Sequence, residues 1–103
     1  MLKYSWNEVK NELLKETRGI GFEEIALALQ EGQSLASIPH PNKKKYHSQR
    51  IFIVVIRNYT YAVPYIKQNQ RVFLKTIYPS RKYHKAYYKE KIWTKPNLTH
   101  SRI

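Results

Sequence analysis

The chain has 103 residues, of which 19 are Lys or Arg and 7 are Asp or Glu, giving a formal net charge of +12. That length makes one domain, and 42% hydrophobic residues suffice for a modest core, so a disordered basic tail is excluded. With no Cys, a disulfide framework, a thiolate zinc site and a cysteine nucleophile are all excluded.

Ser5, Trp6, Asn7 and Glu8 fit a capping box, the Ser5 hydroxyl accepting from the Glu8 amide and the Glu8 side chain bonding back. Trp6, Val9 and Leu13 follow at helical spacing and predict an apolar stripe through about Lys15, with Gly19 as the stop. Phe22, Ile25, Ala26 and Leu29 predict a second helix from about Gly21 to Glu31. The connection is short enough to make the two an antiparallel pair. Ser34 to Ile38 then reads as a short strand ended by Pro39 and Pro41, and a polar loop runs from His40 to Gln49.

Ile51 to Ile56 is apolar on both faces and rich in β-branched residues, which suits a central strand. Thr60 to Ile66 is another strand, and Pro64 suggests an edge or a bulge there, since proline cannot donate to a ladder. Arg71 to Tyr78 is a fourth. Pro79 and Ser80 end the sheet, with Ser80 as N-cap of a last helix through about Lys91. The expected fold is α+β: two N-terminal helices packed on a four-stranded, mostly antiparallel sheet, with a C-terminal helix. Residues 1–91 form the single domain, and 92–103 a loosely held tail.

The charge is partitioned along this order. Residues 1–31 hold six of the seven acids, whereas from Gly32 to Lys89 there is no Asp or Glu and there are twelve Lys or Arg. Such a surface repels itself, and a polyanionic partner would compensate. Membrane-surface binders gather their bases on one amphipathic helix, whereas here they are spread and interleaved with Tyr. The N-terminus lacks the apolar stretch of a signal peptide, and the run Ile51 to Ile56 is too short to span a bilayer. A cytoplasmic location is expected, with no membrane partner.

Arg71, Phe73, Lys75 and Ile77 share one face of the fourth strand by alternation. Arg81 and Lys82 stand in the first turn of the last helix, where free amides and cations could converge on one phosphate. The loop His40–His47 combines Lys43, Lys44 and Lys45 with two imidazoles and Tyr46, on which a base could stack. Tyr83 and Tyr87 are expected to pack on the sheet, leaving His84 and Tyr88 freer to act. Two-metal nucleases hold their ions with carboxylates, which the acid-free window does not offer, so no metal is expected. Cleavage of RNA needs none: the 2′-hydroxyl attacks the neighbouring phosphate, and the protein positions, moves protons and stabilises charge.

Trp6 and Lys10-Asn11 in the first helix, Gly21-Phe22-Glu23-Glu24 opening the second, and Thr76-Ile77-Tyr78-Pro79-Ser80-Arg81-Lys82 at the end of the sheet resemble the RelE/ParE toxin superfamily. The likeness is strongest to its BrnT-type branch of type II toxin–antitoxin toxins, and it spans roughly Tyr4 to Tyr88. It implies a metal-independent endoribonuclease that cleaves mRNA and arrests translation, without a cofactor. A small acidic antitoxin from the same operon would neutralise it, in a possible hetero-oligomer. Arg81 matches the family's signature arginine and so takes a phosphate-binding role, and Lys10 matches an N-terminal lysine. The expected catalytic set is Arg81, Lys45, His40 and His84, the imidazoles serving proton transfer because they titrate near neutrality. Lys75, Arg50, Lys82, Arg71 and Lys10 are expected to contact nucleic acid. A non-catalytic RNA-binding module and a ParE-like toxin that inhibits a topoisomerase are the alternatives.

Overall fold

Asn7 starts the first helix. In the computed structural model, which describes residues 2–89, Ser5 is taken up in a three-residue strand, β1 (Lys3–Ser5), and the cap falls to the next polar side chain. Asn7 Oδ1 accepts from the Lys10 amide at 2.9 Å and opens α1 (Glu8–Arg18), so the expected capping box does not form. Gly19 ends α1 at φ 68°, the left-handed conformation foreseen for it.

The buried face of α1 differs from the expected stripe. Val9 and Leu13 are 79% and 52% exposed, while Asn11 and Leu14 are buried. The deciding contact is polar. Asn11 accepts the Phe22 amide at the start of α2 (Phe22–Gln30) and donates to Glu23 at 2.8 Å, which rolls α1 until Asn11 faces inward. The second helix is as read from its periodicity, with Phe22, Ile25 and Ala26 buried and Leu29 partly so.

Six strands form one mixed sheet rather than the four expected. They are β1, β2 (Ser34–Pro39), β3 (Arg50–Ile56), β4 (Tyr59–Gln68), β5 (Arg71–Leu74) and β6 (Tyr78–Pro79). The order is β1-β5-β4-β3-β2, with β6 also on β4; β1 pairs parallel to β5 and every other pair is antiparallel. Arg57 and Asn58, both at positive φ, make the two-residue turn between β3 and β4, the conformation that matches strand twist. The guanidinium of Arg57 is held by the Glu24 carboxylate and the Gly19 carbonyl, tying that turn to α2.

The middle of the sheet is β4, and Pro64 lies in it, at neither an edge nor a bulge. The Lys75 amide donates to the Pro64 carbonyl at 2.8 Å, so the proline nitrogen faces the same side. There β4 exchanges one partner for another, pairing β5 through Tyr65–Gln68 and β6 through Tyr61–Ala62. No strand at that point needs the missing N–H. The expected fourth strand is for the same reason two strands, with a break at 75–77 whose Ile77 carbonyl accepts from Arg18.

Each face of the sheet has its own core. Phe22, Ile25, Ala28 and Leu14 pack against Val54, Val63, Val72 and Leu74 on one side. On the other, Ile51, Ile53 and Ala62 receive Tyr83, with Tyr87 packed against them. Tyr83 closes a single α turn, α3 (Arg81–Tyr83), capped by Ser80 at 3.1 Å as foreseen and continued by a π-helical segment, His84–Lys89. The rest of the expected helix and the tail at 92–103 lie outside the described residues. Among the described residues no helix is long and apolar enough to cross a membrane.

Candidate nucleic-acid interface

The loop between β2 and β3 is built on its own backbone. The His40 amide donates to the Gln49 carbonyl at 3.2 Å, the Tyr46 amide to Asn42 at 2.9 Å and the Gln49 amide to Tyr46 at 3.0 Å. Within it the His40 and Tyr46 rings meet at 4.4 Å, and Lys45 Nζ lies 5.3 Å from the Tyr46 ring centre. The Asn42 amide donates to His40 Nδ1 at 3.1 Å. That bond fixes the tautomer, because Nδ1 must then be the unprotonated nitrogen and Nε2 carries the hydrogen.

This loop overhangs a cleft of about 430 Å³. Lys10 reaches it from α1, His40, Tyr46 and Gln49 from the loop, Lys75 and Thr76 from the break between β5 and β6, and Tyr78 from β6. Pro64 forms part of its wall. The irregular backbone at 75–77 is what turns these groups toward the loop. Four parts of the chain thus bring two ammonium groups, one imidazole and two phenols together, and no lining residue carries a carboxylate. An anion that can also accept hydrogen bonds is the ligand such a lining fits.

Burial pushes the Tyr78 phenol upward, and the neighbouring Tyr83 raises it further. Tyr78 is therefore a neutral O–H donor throughout the physiological range. Among the described residues no three His, Asp or Glu side chains gather as metal ligands would.

Of the nine residues singled out in the sequence, the cleft unites Lys10, His40 and Lys75. Lys45 borders it through its contact with Tyr46. Arg50 belongs to β3, where its guanidinium is spent on Ser37, donating to the carbonyl at 2.8 Å and to the hydroxyl at 3.2 Å. Arg71 stands at the far end of β5, directly across from Lys3. Arg81 and Lys82 are exposed on α3, the Lys82 ammonium 5.5 Å from the Tyr83 ring, and neither lines the cleft.

His84 is also elsewhere, and it is not free. Its Nδ1 is 2.9 Å from the buried Thr60 hydroxyl, and its ring is stacked between Tyr59 at 4.5 Å and Tyr88 at 4.8 Å. Tyr78, Gln49 and Thr76 were not singled out as site residues in the sequence. Tyr78 looks like one more alternating strand residue, and only the break before it accounts for its place in the cleft lining. Compared with protein-family models, with curated proteins and with solved structures, the chain gives no match.

Proposed function

We propose that the protein is a metal-independent endoribonuclease, the toxin of a type II toxin–antitoxin pair with a RelE-like fold of the BrnT type. It would cleave mRNA in the cytoplasm and be silenced by a small acidic antitoxin. One observation carries this reading: a carboxylate-free cleft that unites Lys10 and Lys75 with His40, Tyr46 and Tyr78. These groups match the needs of RNA transesterification. As the 2′-oxygen bonds to phosphorus and the bond to the 5′-oxygen breaks, Lys10 and Lys75 stabilise the added negative charge. Tyr78, held protonated, donates to the departing 5′-oxygen. His40 takes the 2′-hydroxyl proton at Nε2 once its proton shifts to Nδ1. That shift releases the Asn42 amide and costs about 1 kcal/mol, little against the about 10²–10⁴-fold a general base supplies. Arg81, Lys82 and Lys45 would hold flanking phosphates, whereas Arg50 is engaged by Ser37.

The test is cleavage of an RNA oligonucleotide in EDTA by the purified chain, beside an oligonucleotide with 2′-deoxyribose throughout. RNA alone should be cut, and Lys75→Ala should slow cutting by about 10²-fold or more. Intact RNA after prolonged incubation overturns the reading. One observation favours a second reading, a non-catalytic RNA-binding module: the Asn42 amide occupies the lone pair of His40 Nδ1. Binding without cleavage, lost steeply as salt rises, is its signature.

A further inference from the structure

Beside the cleft lies a second depression of about 420 Å³, formed by Asn7, Val9, Lys10 and Leu13 of the α1 region with Phe73 and Lys75. Its floor is apolar and open: Val9, Leu13 and Phe73 are all exposed large apolar side chains. Its rim is cationic, because Lys10 and Lys75 line both the depression and the cleft. Phe73 is 37% exposed, and Lys75 Nζ sits 5.6 Å from its ring centre.

Along β5 the outward residues are Arg71 and Phe73, with Val72 and Leu74 turned inward, and exposed Lys75 follows immediately. Alternate residues on a strand stand about 6.7 Å apart. A cation, an aromatic ring and a second cation thereby follow one another along one side, in the order that a phosphate, a base and a later phosphate of an extended nucleic-acid strand would meet them. Lys3 adds to the far cation, since β1 pairs with β5 in parallel register and places Lys3 beside Arg71. Two like charges side by side on neighbouring strands repel unless an anion lies between them.

We propose that the substrate is single-stranded RNA running from the cleft along β5. The base next to the scissile phosphate sits on Phe73, between Val9 and Leu13, and a following phosphate rests on Arg71 and Lys3. This rests on the ribonuclease reading and adds to it the strandedness of the substrate, the base subsite and the path. A duplex keeps its bases stacked inside and offers none to Phe73. An acidic amphipathic helix would also cover an apolar floor with a cationic rim, but that contact ends with the floor and leaves the Arg71–Lys3 pair beyond it unused.

Binding and cleavage of one fluorescent RNA oligonucleotide, single-stranded and annealed to its complement, test the path together. The single strand should bind at least tenfold more tightly than the duplex. Phe73→Leu keeps the apolar surface and removes the ring, so it should weaken single-strand binding about tenfold, and Phe73→Trp should restore it. Arg71→Ala should lower the slope of log affinity against log salt by about 0.7. Equal affinity for duplex and single strand, or a Phe73→Leu protein that binds and cuts like the wild type, overturns the path while leaving the ribonuclease standing. No RNA binding at all, with a Phe73-dependent complex formed instead by an acidic helical peptide, overturns both.

Discussion

Asn11 Oδ1 accepts the Phe22 amide at 2.7 Å, so a side chain of the first helix supplies a hydrogen bond at the start of the second. Both residues are fully buried. The Asn11 amide continues to Glu23, which also receives Lys15 at 3.2 Å. Gly21 lies inside this clip, and a Cβ there would stand 2.7 Å from Glu23 Oε1 and 3.0 Å from Asn11 Oδ1.

Asn11→Leu should therefore destabilise the domain even though it adds apolar surface. It strands the buried Phe22 amide, at a cost of about 1–3 kcal/mol. Gly21→Ala should act in the same direction by about 1–3 kcal/mol, because relief of the contact breaks the clip. The midpoint of urea unfolding reads both. A Gly21→Ala protein as stable as the wild type would show that Glu23 and Lys15 can step aside freely.

The same clip gives the fold an acid limb. The Glu23 carboxyl is held below the ordinary glutamate range, first by its own backbone amide in the opening turn of α2 and then by Asn11 and Lys15. A depressed folded value contributes stability above the unfolded value, and that contribution is lost as pH falls through the folded one. The Glu23 side chain is 55% exposed, so the loss should be under about 1 kcal/mol and smaller still at high salt. Glu23→Gln should flatten stability below about pH 4, as read by urea midpoints across that range.

How far this site could be read from sequence depends on where its signals lie. The second helix was legible because Phe22, Ile25, Ala26 and Leu29 carry its buried face by themselves. The first helix was misoriented because its deciding residue, Asn11, is polar, and hydrophobic periodicity cannot see a buried amide. Pro64 looked like an edge marker because the exchange of partners along β4 is a tertiary event. The cations and the imidazole of the site are visible as residue types. Their grouping is not: it needs the break at 75–77, which leaves no mark in a run from Arg71 to Tyr78 free of Gly and Pro until Pro79.

At the alkaline end the tyrosines take over. Burial raises Tyr78 and Tyr83, with Tyr83 acting on the first and Tyr87 on the second, and burial raises Tyr4 with help from Tyr65. A raised folded value leaves stability intact below the unfolded value and removes it as pH rises through the folded one. Stability should thus fall above about pH 10, in step with phenolate absorbance. Tyr83→Phe should delay the fall and bring Tyr78 closer to its ordinary value. An absorbance titration in which every phenol ionises together at the ordinary value would contradict this.

Trp6 stacks on Phe22 with ring centres 5.7 Å apart, yet its indole N–H is buried without a hydrogen-bond partner among the described residues. Trp6→Phe keeps an aromatic ring on Phe22 and removes the stranded donor. The lost area and the relieved donor oppose each other, at about 1–3 kcal/mol for an unsatisfied buried group. The net change in urea midpoint should be small, whereas Trp6→Ala, which loses the ring altogether, should cost about 3–5 kcal/mol.

The two histidines divide stability from chemistry. His84 bonds the buried Thr60 hydroxyl and fills the space between Tyr59 and Tyr88, so His84→Ala strands Thr60 and removes two ring contacts. It should cost about 2–3 kcal/mol of stability and leave cleavage by the folded fraction nearly unchanged. His40 touches Tyr46 and accepts the Asn42 amide in an exposed loop whose closure is otherwise backbone to backbone, so His40→Ala should cost about 1 kcal/mol of stability or less. It should nonetheless slow RNA cleavage by about 10²-fold or more. Urea unfolding and single-turnover cleavage on the same two variants give a crossed result if this division holds. Cleavage that survives in His40→Ala but vanishes in folded His84→Ala would move the proton-transfer site from the cleft to the aromatic stack.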